Sequence, residues 1–292
     1  MLADLALLFC AFVWGTSFAT MKILVGVYSS CWLLFLRFTL SSLFMLIIFY
    51  ARLKNNFKQC FKGGVILGTA LFLAIATQTW GLNYTDAGKQ AFITSIYVLI
   101  VPLLLWLFKK VFPGIITIYA AVLCVTGMYF LTGGLDGNFN FNVGDLLTLI
   151  CAVFFALQIL AAWRYTAFDD PVTLSFISFV CVAVFSFISA LIFELPLKNI
   201  FDFDSIFELI YTALFVTLGG YLVQICAQKY AKPSHASIIM SLESVFGLIS
   251  GIIFLNESVS LKAAFGCVLI FISVIGSELE DLISAKFNLK RK

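Results

Sequence analysis

The sequence predicts an all-α integral membrane protein: ten transmembrane helices as two inverted-topology five-helix repeats, with both termini cytoplasmic. Three observations predict it: an apolar composition, ten charge-poor stretches of bilayer length, and a lopsided distribution of Lys and Arg. Of 292 residues, 62% are hydrophobic and 11% charged, with a mean hydropathy of +1.08. Soluble domains run near half apolar and a quarter charged, so this chain lacks the polar residues to cover a surface in water and must meet lipid instead. The net charge of +3 is small and its basic residues are spread out, which excludes nucleic acid as a partner. The eight cysteines stand singly with no Cys-x-x-Cys, and there is a single histidine, so no metal site and no cofactor is expected.

A spanning helix needs about 20 largely uncharged residues. The first charge-free run, 5–21, has no basic leader or cleavage site and reads as a retained helix. The second, 38–51, becomes a full span if it starts near Cys31 and accepts Arg37. Runs at 63–85, 90–108 and 111–135 supply the third to fifth spans. A Gly/Asn/Asp-rich segment at 132–145 follows and reads as the linker between halves. The sixth and seventh spans are 146–163 and 171–193, the latter announced by Asp169-Asp170-Pro171, a helix-start signal. The eighth is 209–228; the ninth, 244–256, is long enough only if it starts near His235 and accepts Glu243; the tenth is 263–277. The chain thus divides into a first repeat at 1–131, the linker at 132–145, a second repeat at 146–278 and a basic cytoplasmic tail at 279–292.

Orientation follows from positive charge, which stays in cytoplasmic loops. With the N-terminus inside, thirteen of the 18 Lys and Arg fall on the cytoplasmic side. Lys22, Lys89, Lys198 and Lys262 lie outside, and Arg37 lies within a span. Five spans per half make the second half enter from the opposite side, so similarity between halves is an inverted repeat. Asp4 to Trp14 can be laid over Asp145 to Phe155 at an offset of 141, matching Asp4 with Asp145 and Cys10 with Cys151.

Ionisable groups inside a span are costly and mark candidate transport paths. Glu243, near mid-membrane by its distance from His235, is the leading candidate, as a carboxylate for a cationic or amine group or as a proton carrier. Arg37 lies nearer a helix end and is expected to snorkel and orient its helix, with binding of an anionic group as the alternative. Thr217, Tyr221, Gln224 and Gln228 fall on one face of the eighth span at spacings of 4, 3 and 4. Thr94 with Tyr97, Trp14 with Ser17, and the mid-helix amides Gln78 and Gln158 complete the substrate-binding set. These scattered polar groups could equally join helices. His235 is expected at the interface.

Several segments carry a resemblance: Trp14-Gly15-Thr16-Ser17-Phe18, Phe35-Leu36-Arg37-Phe38, the run from Ala91 to Leu103, Leu242-Glu243-Ser244-Val245-Phe246, and Leu255-Asn256-Glu257. In these the chain resembles the EamA-like branch of the drug/metabolite transporter superfamily. The resemblance implies two EamA repeats and transport of a small metabolite, an amino acid or related compound, by export from a central cavity in the bacterial inner membrane. Ser244 stands where that family usually has proline, which predicts a straighter ninth helix, and Lys109-Lys110 replaces a common Gly-Glu pair. With no phosphate-cradling loop for ATP, the expectation is a secondary transporter working by alternating access, with a small-molecule substrate, the bilayer and a candidate proton as its partners. The competing readings are an intramembrane enzyme, for which no nucleophile motif is present, and a receptor or scaffold, which has no need of repeated halves.

Overall fold

The computed structural model describes residues 2–85, 87–110, 114–131, 142–255 and 260–289. Most of the linker (132–141), the Asn256 and Glu257 positions, and tail residues 290–292 lie outside the described residues. Among the described residues every regular element is helical. They are α1 (Leu2–Val27), α2 (Ser30–Gly81), α3 (Ala87–Thr94), α4 (Tyr97–Lys109), α5 (Ile115–Leu131), α6 (Val143–Thr166), α7 (Pro171–Phe193) and α8 (Ile206–Tyr211). A π-helical segment, Thr212–Tyr221, then leads into α9 (Leu222–Gln228), α10 (Pro233–Met240), α11 (Glu243–Leu255) and α12 (Leu261–Leu289).

The 52 residues of α2 would extend about 78 Å if straight, yet Asn83 just past its end donates to Ser30 Oγ at its start, 3.0 Å away. The element therefore folds back. Phe49, with φ −114° and ψ 19°, is the non-helical residue within it. One arm runs from Ser30 to the neighbourhood of Arg52, and the other returns from the neighbourhood of Cys60 to Gly81, so α2 contains the second and third apolar runs.

Both arms lie along α7. Gly64 and Gly68 let the second arm approach closely: a Cβ on Gly64 would stand 2.6 Å from Ile177, and one on Gly68 2.8 Å from the Ser178 carbonyl oxygen. Such small-residue seams let helix backbones meet where no hydrophobic driving force exists between helices in lipid. Each end of the seam is tied. At one end Asp170 caps α7, accepting from Thr173 N at 2.9 Å, and receives Arg52 Nη2 at 2.6 Å. At the other, Glu194 accepts from the α2 amides of Cys31 (2.8 Å) and Trp32 (3.1 Å) and from Trp80 Nε1 (3.0 Å). The first amides of a helix have no intrahelical acceptor, and a carboxylate satisfies them with a favourable dipole interaction. The Arg52 end also gathers Lys109, Arg164 and Lys229 and is called the basic end; the Glu194 end is the far end.

Two helices are interrupted in the same way. An eight-residue helix, α3, gives way at Ser95–Ile96 to the thirteen-residue α4. An eight-residue helix, α10, gives way at Ser241–Leu242 to the thirteen-residue α11. The positions are 146 apart (87 against 233, 97 against 243), and the bonding repeats at that offset. Ser95 Oγ donates to the Phe92 carbonyl and Ser241 Oγ to the Ile238 carbonyl, both at 2.6 Å. Ile96 N reaches Ile93 O and Ile100 N reaches Ile96 O, as Leu242 N reaches Ile239 O and Phe246 N reaches Leu242 O. The ninth helix, expected to be straighter for want of a proline at Ser244, is interrupted all the same: the break lies before Ser244, where Ser241 returns to its own turn.

Outward faces carry large exposed apolar side chains, among them Ile47, Ile192, Phe215 and Ile275. Helices α2, α6 and α7 are long and apolar enough to cross a bilayer, as are the stretches Phe92–Lys109 and Ile206–Gln228. A surface of this kind is stable only against hydrocarbon.

Candidate functional site

Between the two interruptions lies a cavity of about 90 Å³. Its walls bring together eight of the substrate-binding residues expected from sequence, namely Trp14, Ser17, Gln78, Thr94, Tyr97, Tyr221, Gln224 and Glu243, together with Arg37. The resuming residues of the broken helices, Tyr97 and Glu243, both line it, as do Thr94 and Met240, which stand just before the respective breaks. An interrupted helix presents backbone and side chains to a mid-membrane cavity that a continuous one would turn toward its neighbours.

Glu243 is half-buried, and among the described residues no side chain donates a hydrogen bond to its carboxylate. Tyr97 and Tyr221 lie within electrostatic reach of it. The position depends on Gly15 of α1. A Cβ there would sit 2.5 Å from the Glu243 carbonyl oxygen and 2.6 Å from Phe246 Cβ.

Arg37 does not snorkel. It is buried, donating through Nη2 to Thr217 Oγ1 at 2.9 Å and through Nη1 to Met21 Sδ at 3.0 Å, while its Nε has no partner among the described residues. The sequence reading took a helix-end position as access to the interface, but the fold-back of α2 and the packing of the π-helical segment enclose it. That segment is tied into the site by several donors. Trp14 Nε1 reaches the Val216 carbonyl at 3.2 Å, Ser41 Oγ the Ala213 carbonyl at 2.7 Å, and Cys10 Sγ the Gly220 carbonyl at 3.2 Å. Thr217 Oγ1 also returns to the Thr212 carbonyl, five residues back. π-helical turns of this kind are frequent at functional sites.

Three of the expected residues do not line the cavity. Thr217 is spent on Arg37. Gln158 pairs its amide with Gln224, which donates at 3.1 Å and receives at 3.5 Å. Gln228 is buried deeper toward the basic end, with neither amide atom partnered among the described residues. Sequence reasoning missed Gln90 and Thr79, both cavity-lining. Gln90 follows Lys89, so it read as a span boundary; its Nε2 donates to the Gln78 carbonyl at 2.7 Å.

His235 stands in the first turn of α10. It is buried, with Nε2 3.3 Å from Asp4 Oδ1 and Nδ1 3.0 Å from Ser277 Oγ. An Asp, a His and a Ser in a row invite comparison with a hydrolase triad. Here, however, Ser277 is buried and lines neither this cavity nor the lateral groove between α2, α4 and α6. A nucleophile needs room for a substrate carbonyl beside it, so the cluster instead joins α1, α10 and α12 near the basic end.

The EamA-like transporter family matches residues 1–133 and 142–278. A protein of Archaeoglobus fulgidus described as an uncharacterized transporter is 35% identical over 279 residues, covering 94% of this chain and 84% of its own. A solved structure described only as a crystal structure of a protein is 16% identical with a TM-score of 0.78, covering 98% of each chain, and shows the shared fold.

Proposed function

The chain belongs to the EamA-like transporter family and is an integral multi-pass membrane protein, and from that premise we propose that it is a secondary transporter of a small amino-acid-like metabolite. The observation that carries the reading is the cavity between the matched helix interruptions, whose wall holds Glu243, at the resumption of α11, together with Arg37 of α2. A carboxylate and a guanidinium lining one small cavity suit a zwitterion, the carboxylate taking its ammonium and the guanidinium its carboxylate.

Ten helical passes follow if α2 counts as two, and α3–α4, α8–α9 with the π segment, and α10–α11 each count as one. The ordering supports two inverted five-helix halves, 1–131 and 146–278, joined by the linker. Both termini then lie at the basic end, which the positive-inside rule makes cytoplasmic. In this conformation the apolar cluster of Leu7, Ala11, Val101, Ile159 and Ile238 floors the cavity toward the basic end. Its walls reach the far end through Met21 and Leu82. An alternating-access cycle would carry substrate out by opening the floor and closing the far side, with a proton on Glu243 as the coupling candidate. The membrane is taken as the inner membrane of a bacterial cell, on the family resemblance.

Reconstitution into liposomes with Glu243→Gln tests the reading. Loss of uptake of zwitterionic substrates with retained folding is expected. Wild-type liposomes that move no zwitterion would sink the substrate class, and a flux whose pH dependence survives Glu243→Gln would remove the proton role.

A further inference from the structure

On the flank away from the central cavity, the second arm of α2 with α4 and α6 encloses a lateral groove of about 700 Å³, within the range of pockets that hold organic ligands. Its walls are largely apolar, with Ala70, Leu73, Leu105 and Leu157 among them. Its basic end is different: Lys109 and Arg164 line it there, with Lys109 Nζ 5.5 Å over the Trp163 ring. No lining residue is acidic. Among the described residues neither cation is paired with a carboxylate.

The length of the groove matches one leaflet. From Phe154 to Tyr165, the stretch of α6 along it, a helix rises about 16 Å, near half of a hydrocarbon core about 30 Å thick. A greasy channel of leaflet depth ending in two cations and an interfacial tryptophan has the chemistry of an acyl chain joined to a phosphate.

We propose that this groove is a site for an anionic phospholipid of the leaflet at the basic end, with an acyl chain along Leu73, Leu105 and Leu157 and the phosphate between Lys109 and Arg164. A zwitterionic lipid would bring its own ammonium to two cations and bind less well, and the site therefore selects by headgroup charge.

The test uses the full-length protein in neutral detergent, titrated with phosphatidylglycerol, phosphatidylcholine or inorganic phosphate while its melting temperature is followed. Phosphatidylglycerol is expected to raise the melting temperature more than phosphatidylcholine does. Lys109→Gln and Arg164→Gln, both at exposed positions, should each weaken the phosphatidylglycerol response roughly fivefold and together erase the preference. Ala70→Trp, which fills the groove, should weaken the response to both lipids. Native mass spectrometry of the wild type with mixed lipids gives a readout that depends on no variant, and more phosphatidylglycerol than phosphatidylcholine should be retained. Equal response to the two lipids, a preference that survives the double substitution, or an unchanged response in Ala70→Trp overturns the proposal. So does a shift reproduced by phosphate alone, which would make this a soluble-anion site.

Discussion

At the interruption between α3 and α4 the helix resumes with Tyr97, and at that between α10 and α11 it resumes with Glu243, although the same serine bond and the same turn hold both breaks. One backbone device therefore appears twice with different chemistry mounted on it. The α3–α4 copy presents Thr94 and a phenol, which can orient a ligand, while the α10–α11 copy presents a carboxylate, which can bind charge. The difference suggests that the geometry is shared scaffolding and that function sits in the side chains where the two copies diverge.

Substitution at the divergent position should show the largest contrast. Glu243→Gln is expected to lower substrate affinity about a hundredfold, the scale of removing one partner of a desolvated charge pair, and Tyr97→Phe only severalfold. Equilibrium binding of a zwitterionic ligand measures both, and comparable losses would break the contrast. Next in size is Gly15→Val, which drives a side chain into the turn at Glu243 and should destabilise the protein by about 1–3 kcal/mol. Thermal unfolding in detergent checks it, and a silent substitution would mean that α1 does not set the carboxylate's position.

The shared part of the comparison is sharpened by Ser95→Ala and Ser241→Ala. Each loses one hydrogen bond to its own turn and should cost about 1 kcal/mol, so unequal melting shifts would show the two breaks to be differently supported. The smallest effect belongs outside both. Partial burial pulls the Asp170 carboxyl upward, but the bonds from Arg52 and Thr173 prevail and hold it below the usual carboxylate range. A lowered folded value means stabilisation that is present above the ordinary carboxylate range and lost as pH falls through the folded one. Arg52→Ala should therefore cost no more than about 1 kcal/mol at neutral pH and flatten the acid limb of the stability profile below about pH 4.

Much of this was legible in the sequence. The apolar runs, the helix start at Asp170, and the polar character of Tyr221, Gln224 and Glu243 inside spans can all be read from residue order alone. The breaks could not be, because serine is a weak breaker and Ser244 drew attention to the wrong position. Neither could the use to which each polar side chain is put. Gln158 and Gln224 look like two cavity amides in sequence, yet they bond to one another, and Thr217 shares the face of Gln224 but serves Arg37. Periodicity shows which side of a helix is polar; the partner across the gap decides whether that side stays available to a ligand.

The α2–α7 pairing carries a mechanical implication. It is pinned at both tips, Arg52 to Asp170 at one and Glu194 to the amides of Cys31 and Trp32 at the other, with glycines pressed into the seam between. A strut held at its two tips cannot shear lengthwise without releasing a pin, so in the alternating-access cycle proposed above it would be the stationary post, with the remaining helices swinging around it.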